Sequence, residues 1–380
     1  MAEPSAYELD AWRRLQNARS RPLTRVMHVA GDRTASAARA VAQTAERLAD
    51  DHPAVRRAQG AVARGARGAA GAVPPAVTRA ASEWGQQAFD SIQRAVARVS
   101  RVGLSPDGVV AKYRKRGMSV DSLADIRRLD LEDVDRVRGR GMDVYYPAAA
   151  AASGAGAGLV ITGGELFIAV SGGAGAAPGS GAVAGAMVAD AAAVLGIASR
   201  AVGHVALTYG YDPEDPAEKL FVLTVINAGT AMSASAKTAA MAELSTLTQA
   251  LFRGAAWKVL DKSIVAQVYK QFASRFAVRV TKQSLGKVVP GLSIVLGAGF
   301  NWATLEMLID GANQAYRRRL LLEKYPQLES DEVELPLEAV VPDDQDVTIS
   351  VLRELTEAGG PDVRPLAPEG NDEAGSVEGP

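Results

Sequence analysis

The sequence predicts an all-α protein, a multi-helix bundle that includes two Gly/Ala-rich apolar helical hairpins at about 147–189 and 288–305. Three observations support this fold class. Apolar residues recur at helical spacing in most segments, and no segment alternates apolar and polar residues for long. In addition, Asp215-Pro216 has the composition of a helix start, with Asp at the N-cap and Pro at the first helical position. We therefore expect helices throughout.

The chain divides into four parts by composition. Residues 5–20 carry apolar side chains at helical spacing, which predicts an amphipathic N-terminal helix within 1–22. Residues 23–73 are rich in Ala and Arg and predict a long helix or a partly disordered segment. The main helical domain is expected over 74–326, followed by an acidic, disordered tail over 327–380.

Further helices are predicted inside the main domain. Glu218, at the third helical position after Asp215, completes the expected N-terminal capping pattern. The predicted helices after the N-terminal ones cover 131–140, 190–209, 216–251 and 254–285.

Composition excludes several kinds of chemistry. The chain of 380 residues has no cysteine and only three histidines, so disulfides, thiolate catalysis and a His-based metal site are excluded. His204 is expected to be a core or interface histidine rather than a ligand. We expect no cofactor.

Charge is segregated along the chain. The net charge is −1, yet the 52 residues of 329–380 hold 15 acidic residues against two arginines. The body before them carries 40 basic and 28 acidic residues. A basic body with an acidic tail suits an anionic surface, although a solubilising tail on an ordinary globule has the same composition.

Two basic clusters are candidates for contact with anionic lipid. Aromatic residues that would stack on bases are not interleaved with them, so nucleic acid is not expected as a partner. The candidate surface residues are Lys112, Arg114, Lys115, Arg116, Arg317, Arg318 and Arg319.

Residues 144–164 and 166–189 are free of charged side chains. They contain few strongly apolar residues, so a membrane span would be only marginally stable, and a buried or membrane-surface hairpin is expected instead. Gly154 and Gly158 have the GxxxG spacing that allows close helix contact. The N-terminus lacks the apolar run of a signal peptide, so we expect a cytoplasmic protein, peripheral at the inner face of the cell membrane.

Several stretches together resemble the EcsC family. They include ASGAGAG at 152–158, VALTYGYDPEDPAEKLFVLTVIN at 205–227, GKVVPGLSIVLGAGFN at 286–301 and ANQAYRRRLLLEKYP at 312–326. The resemblance implies an accessory role at the cytoplasmic membrane, because the family's namesake is encoded beside an ABC exporter, and it makes a membrane transporter complex a candidate partner. It supplies no catalytic set. The residues that match the family are Gly154, Gly158, Asp190, Tyr209, Gly210, Asp212, Pro290, Gly297, Asn301 and Tyr316.

Two functional hypotheses follow. The first is a non-enzymatic accessory or interaction protein at an anionic membrane surface. The alternative is an enzyme acting on a lipid or amphipathic substrate in a groove between the Gly-rich helices, with Asp190, Tyr209 and Asn301 as its polar residues. Convergence of these three side chains in one pocket would favour the enzyme.

Overall fold

The computed structural model describes residues 3–19, 104–151, 193–231, 233–252, 260–285, 293–331 and 349–363. Every regular element in these ranges is a helix, which confirms the all-α class. In chain order the helices are α1 (Ala6–Arg19), α2 (Pro106–Arg114), α3 (Leu123–Ile126), α4 (Leu131–Arg138), α5 (141–151), α6 (193–208), α7 (Pro216–Thr230), α8 (Ala234–Phe252), α9 (Lys262–Leu285), α10 (Ser293–Lys324), a 3₁₀ turn (Pro326–Asp331) and α11 (Val351–Glu357).

Helix α7 lies at the centre of the bundle. Its sequence is apolar on nearly every side, and a helix of this kind has to be covered all round. It packs against α8, α9, α10 and α11, and Leu220, Phe221 and Ile226 are fully buried. The packing of α7 therefore determines where the long helix α10 can lie.

A glycine permits the close approach of α7 and α10. A Cβ atom at Gly229 would lie 2.5 Å from the Cδ1 atom of Leu308 and 3.2 Å from its Cα atom. A side chain at position 229 would force Leu308 to shift, so glycine suits this contact. The sequence patterns had predicted such contacts at Gly154 and Gly158, which lie outside the described residues.

Two helix predictions need correction. The helix predicted over 216–251 is interrupted at Ala231, which has the extended backbone angles φ −68° and ψ 126°. Residues 293–305, expected within the second Gly-rich hairpin, form the first part of the continuous 32-residue helix α10. The first hairpin lies outside the described residues apart from 147–151, which end α5.

The C-terminal segment is not wholly a detached tail. Helix α11 packs against α9 and α7. Ile349, Val351 and Leu355 are buried, and the amide of Asn227 on α7 donates a hydrogen bond to the carbonyl oxygen of Ile349 at 2.8 Å. The predicted disordered tail over 327–380 is therefore wrong for 349–363, because these apolar side chains complete the core.

Candidate functional site

The turn between α6 and α7 places two tyrosines in the protein interior. Gly210 has φ +83°, a conformation that a residue with a side chain rarely adopts. A Cβ atom there would lie 2.5 Å from the carbonyl oxygen of Leu123. Tyr209 and Tyr211, on either side of this glycine, are almost fully buried, at 0% and 3% exposure. The glycine thus lets the chain reverse against α3 while both rings point inward.

Tyr209 belongs to a hydrogen-bond network in which the carboxylate of Asp135 connects α1, α4 and α10. Its hydroxyl donates to Oδ1 of Asp135 on α4 at 3.2 Å and accepts a hydrogen bond from Nε of Arg317 on α10 at 3.0 Å. Arg317 also forms an ion pair with Asp135, with Nη2 and Oδ1 2.8 Å apart. The hydroxyl of Tyr7 on α1 donates to the other oxygen of Asp135 at 2.7 Å.

A second carboxylate lies deeper, on α7. Glu218 is 4% exposed and accepts hydrogen bonds from the hydroxyl of Tyr316 at 2.5 Å and from Nη1 of Arg319 at 2.6 Å. Arg319 also donates to Glu323, one turn further along α10, at 3.0 Å. The sequence pattern had predicted that this glutamate caps its own helix, and in the structure it does not. It links the start of α7 to α10.

Aromatic rings connect the two carboxylate groups. The rings of Tyr209 and Tyr316 are stacked with centroids 6.2 Å apart, and Tyr211 lies 5.5 Å from Tyr316. The guanidinium carbon of Arg319 is 4.1 Å from the centroid of the Tyr211 ring, within cation–π range. We call this set the tyrosine–arginine cluster: Asp135, Tyr209, Tyr211, Glu218, Tyr316, Arg317 and Arg319.

The electrostatics of the cluster favour fixed ion pairs. Burial raises the pKa of Glu218, and the charge of Arg319 opposes that rise. Burial also raises the pKa of Tyr209 and of Tyr316, so both phenols are neutral at pH 7. Each carboxylate in the cluster already has an arginine and a tyrosine hydroxyl as partners. The arrangement therefore joins α4, α7 and α10 and leaves no carboxylate available to a substrate.

The structure brings some of the family-matching residues together. Tyr209 and Tyr316 meet in the cluster, and Gly210 forms the turn beside Tyr209. Asp212 stabilises this turn by accepting from the backbone N–H of Glu214 at 2.9 Å. Asn301 is buried but precedes Tyr316 by 15 residues of α10, which places it about 22 Å away along the helix axis. Tyr209 and Asn301 therefore do not converge.

The other family-matching residues add nothing to the description of the site. Gly154, Gly158, Asp190 and Pro290 lie outside the described residues, and Gly297 lies within α10.

The two predicted basic surfaces differ. Lys112, Arg114, Lys115 and Arg116 are exposed, as expected. By contrast, Arg318 and Arg319 are only 5% and 7% exposed, and the Arg317 side chain is 31% exposed and paired with Asp135. The prediction of a basic surface at 317–319 is wrong for the buried Arg318 and Arg319, because Arg319 pairs with Glu218 on α7 and Arg318 donates to Ser245 on α8.

The two acidic residues of the cluster were not predicted from the sequence. Asp135 and Glu218 were assigned to ordinary helix positions, yet Asp135 pairs with the half-buried Arg317 and Glu218 pairs with the buried Arg319. One signal was available for Glu218, because it lies beside the apolar run LFVLTVI, where an unpaired carboxylate would be costly to bury. Asp135 has no such signal, because it lies in the charged stretch LEDVDR at 131–136.

A separate group of side chains lies where α2, α5 and α6 meet. Nζ of Lys112 on α2 is 3.4 Å from Nε2 of His204 on α6, and Nδ1 of His204 is 3.2 Å from the hydroxyl of Tyr146 on α5. Next to Tyr146, Val144 and Tyr145 are 61% and 62% exposed. We call this region, with the exposed Lys115 and Arg116 that follow Lys112 in the chain, the α2–α6 edge. Its lysines and exposed apolar side chains distinguish it from the closed cluster.

The described residues lack the features of two other kinds of site. None of the helices in these ranges combines the length and the apolarity needed to cross a membrane. In the same ranges, no group of three or more histidine, aspartate or glutamate side chains is arranged to hold a metal ion.

The fold and its polar core define an all-α helical bundle in which residues of the turn between α6 and α7 help to join the helices, with a basic edge on the outside. The family model of the EcsC protein family matches residues 74–321, and the chain belongs to this family. It is also 24% identical over 213 residues to the "Uncharacterized protein YdbA" of Bacillus subtilis (strain 168). That alignment covers 56% of this chain and 66% of the relative, just under two thirds of its length. No solved structure matches the chain.

Proposed function

We propose that this EcsC protein is a non-enzymatic accessory or interaction protein that binds the surface of an anionic membrane. The α2–α6 edge carries the proposal. Lys112 is exposed there beside His204, Lys115 and Arg116 are exposed directly after it in the chain, and Val144 and Tyr145 expose apolar surface next to Tyr146. Cations attract anionic headgroups, and tyrosine favours the boundary between headgroups and hydrocarbon.

The position of this edge in the chain supports the same proposal. Helices α5 and α6 flank residues 152–192, in which Glu165 and Asp190 are the only charged residues. A membrane-bound edge would hold this nearly uncharged segment close to the lipid. By its family, the protein would act beside a membrane transporter complex at the inner face of the cell membrane. The closed tyrosine–arginine cluster supports a role without chemistry.

Co-sedimentation of the full chain with neutral and anionic phospholipid vesicles tests this proposal. We expect binding to the anionic vesicles that weakens as salt is added, because the Debye length falls from about 10 Å at 0.1 M to about 3 Å at 1 M ionic strength. Equal binding to neutral vesicles, or no binding at low salt, would refute it.

A charge-matched pair of variants locates the contact. Lys115→Glu combined with Arg116→Glu should reduce the binding to anionic vesicles strongly. Arg13→Glu combined with Arg14→Glu changes the net charge by the same amount on exposed residues of α1, which packs against α4 and α10. An equal loss in both variants would mean that net charge, and not this edge, drives the binding.

A further inference from the structure

The junction between α7 and α8 holds a lysine that the proposed membrane function does not use. Lys237 lies in the first turn of α8 and is partly buried. Its ammonium group donates to the carbonyl oxygen of Ala228. That oxygen belongs to the last turn of α7, where carbonyl groups lack partners within their own helix. The contact therefore holds the lysine nitrogen beside the end of α7.

The surroundings of Lys237 disfavour a positive charge. Arg279 on α9 is fully buried and donates to Oδ1 of Asn227, the residue before Ala228, at 2.8 Å. Two cations are thus bound to adjacent residues of α7. The first turn of a helix is also the positive end of its dipole. Within the described residues, the partner of the Lys237 ammonium group is a neutral carbonyl oxygen rather than a carboxylate.

These surroundings favour the neutral amine, which is the nucleophilic form of lysine. Burial, followed by the positive charge of Arg279, lowers the pKa of Lys237 to about 8. At pH 7.5 about a quarter of such amines are neutral, against about 0.1% for a lysine with the ordinary pKa of about 10.4. Burial and the nearby arginine also favour any product in which this nitrogen carries no charge.

We propose that Lys237 is a site of acylation by small acyl phosphates. The neutral Nζ attacks the carbonyl carbon of the acyl phosphate, and a C–N bond forms. The bond from that carbon to the phosphate oxygen breaks, phosphate leaves with the electron pair, and the nitrogen releases one proton to water. The product is a neutral amide, and its remaining N–H is a donor for the carbonyl oxygen of Ala228. This modification is independent of the proposed membrane function.

Acetyl phosphate tests the proposal on the folded full chain, with the acetylation rate of each lysine measured by peptide mass spectrometry at pH 7.5. Lys262 is the matched comparison, because it is exposed and also lies in the first turn of its helix, α9. Nucleophilicity falls with basicity, with a Brønsted slope of about 0.5 for thiols. With the same slope for amines, an advantage of about two hundredfold in neutral amine becomes about tenfold in rate. Equal or slower acetylation of Lys237 would refute the proposal.

The pH dependence is a second readout, which does not depend on how easily the reagent reaches each lysine. The rate at Lys237 should level off between about pH 8 and pH 9, because the amine is then mostly neutral. The rate at Lys262 should continue to rise toward pH 10. A rate at Lys237 that rises in parallel with that of Lys262 would contradict the proposed site.

Two controls assign the reactivity to the folded environment of Lys237. In urea that unfolds the chain, both lysines should react at similar rates, and a preference for Lys237 that persists there would refute the role of the fold. Lys237→Arg keeps the positive charge but has no amine to acylate. It should lose the fast acetylation and leave the rate at Lys262 unchanged, whereas fast acetylation that remains in this variant would place the reactive amine elsewhere.

Discussion

At the scale of single residues, the tyrosines of the tyrosine–arginine cluster differ in what their hydroxyl groups do. The hydroxyl of Tyr316 donates to Glu218 at 2.5 Å, whereas the buried hydroxyl of Tyr211 has no hydrogen-bond partner among the described residues. Their rings lie only 5.5 Å apart, so the two positions share one environment. This pair allows the hydrogen bond to be separated from the packing of the ring.

We predict that Tyr316→Phe destabilises the protein by about 1.5–3 kcal/mol, because buried Glu218 loses a charged hydrogen bond. Tyr211→Phe should change the free energy of unfolding by less than about 0.5 kcal/mol, since it removes a hydroxyl that bonds to nothing there. Urea unfolding followed by circular dichroism measures both. Equal effects in the two variants would show that the hydrogen bond to Glu218 does not contribute to stability.

At the scale of secondary-structure elements, α1 is fastened to the domain by one buried glutamate. Glu8 is 1% exposed and accepts hydrogen bonds from the hydroxyl of Tyr325 at 2.6 Å, from the backbone N–H of Leu131 at 3.2 Å and from the ammonium group of Lys324. Trp12 and Leu15 pack on the same side of α1. A helix that precedes the family match at 74–321 is therefore part of the folded bundle.

This contact predicts an acid-sensitive attachment of α1. Burial by itself would raise the pKa of Glu8, but the hydrogen bonds from Lys324 and Tyr325 outweigh it and the pKa is lowered. The stability from Glu8 is therefore present above the unfolded-state pKa of about 4.3 and is lost as pH falls through the lower folded-state value. Between pH 5 and pH 3, the urea midpoint of Glu8→Gln should fall less than that of the wild type.

The matched control is Glu3→Gln, which changes an exposed glutamate of the same segment. Its urea midpoint should follow the wild type at each pH. At pH 7, Glu8→Gln should already be less stable by about 1.5–3 kcal/mol. A wild-type pH dependence in Glu8→Gln would show that other carboxylates account for the acid sensitivity.

The elements were predictable from sequence where local signals set them. Asp215-Pro216 marks the start of α7, and the spacing of Trp12 and Leu15 marks α1. The end of α7 at Ala231 and the burial of the Arg319 side chain were not predictable, because tertiary contacts determine both. A run of three arginines indicates a basic surface by composition, and its sequence does not show that Arg317 and Arg319 pair with Asp135 and Glu218 on other helices.

At the scale of the whole molecule, positive and negative charge occupy different parts of the chain, but the division is not between a body and a free tail. Helix α11 belongs to the core, and its N-terminus is held by Glu243 on α8, which accepts hydrogen bonds from the hydroxyl of Ser350 and from the backbone N–H of Val351. Any effect of the acidic C-terminal residues on membrane binding therefore has to be measured without removing α11.

Two shortened chains distinguish the effect of the acidic C-terminal residues on membrane binding from the effect of α11 on folding. A chain ending at Pro326 loses the buried Ile349, Val351 and Leu355, each of which stabilises the fold by about 1.5–3 kcal/mol, so its Tm should fall sharply. A chain ending at Val363 keeps α11 and loses four acidic residues and Arg364. It should keep the Tm of the full chain and bind anionic vesicles more tightly at low salt, because net negative charge is removed. Unchanged binding would show that the last 17 residues do not oppose the membrane contact. An unchanged Tm in the chain ending at Pro326 would contradict the role of α11 in the core.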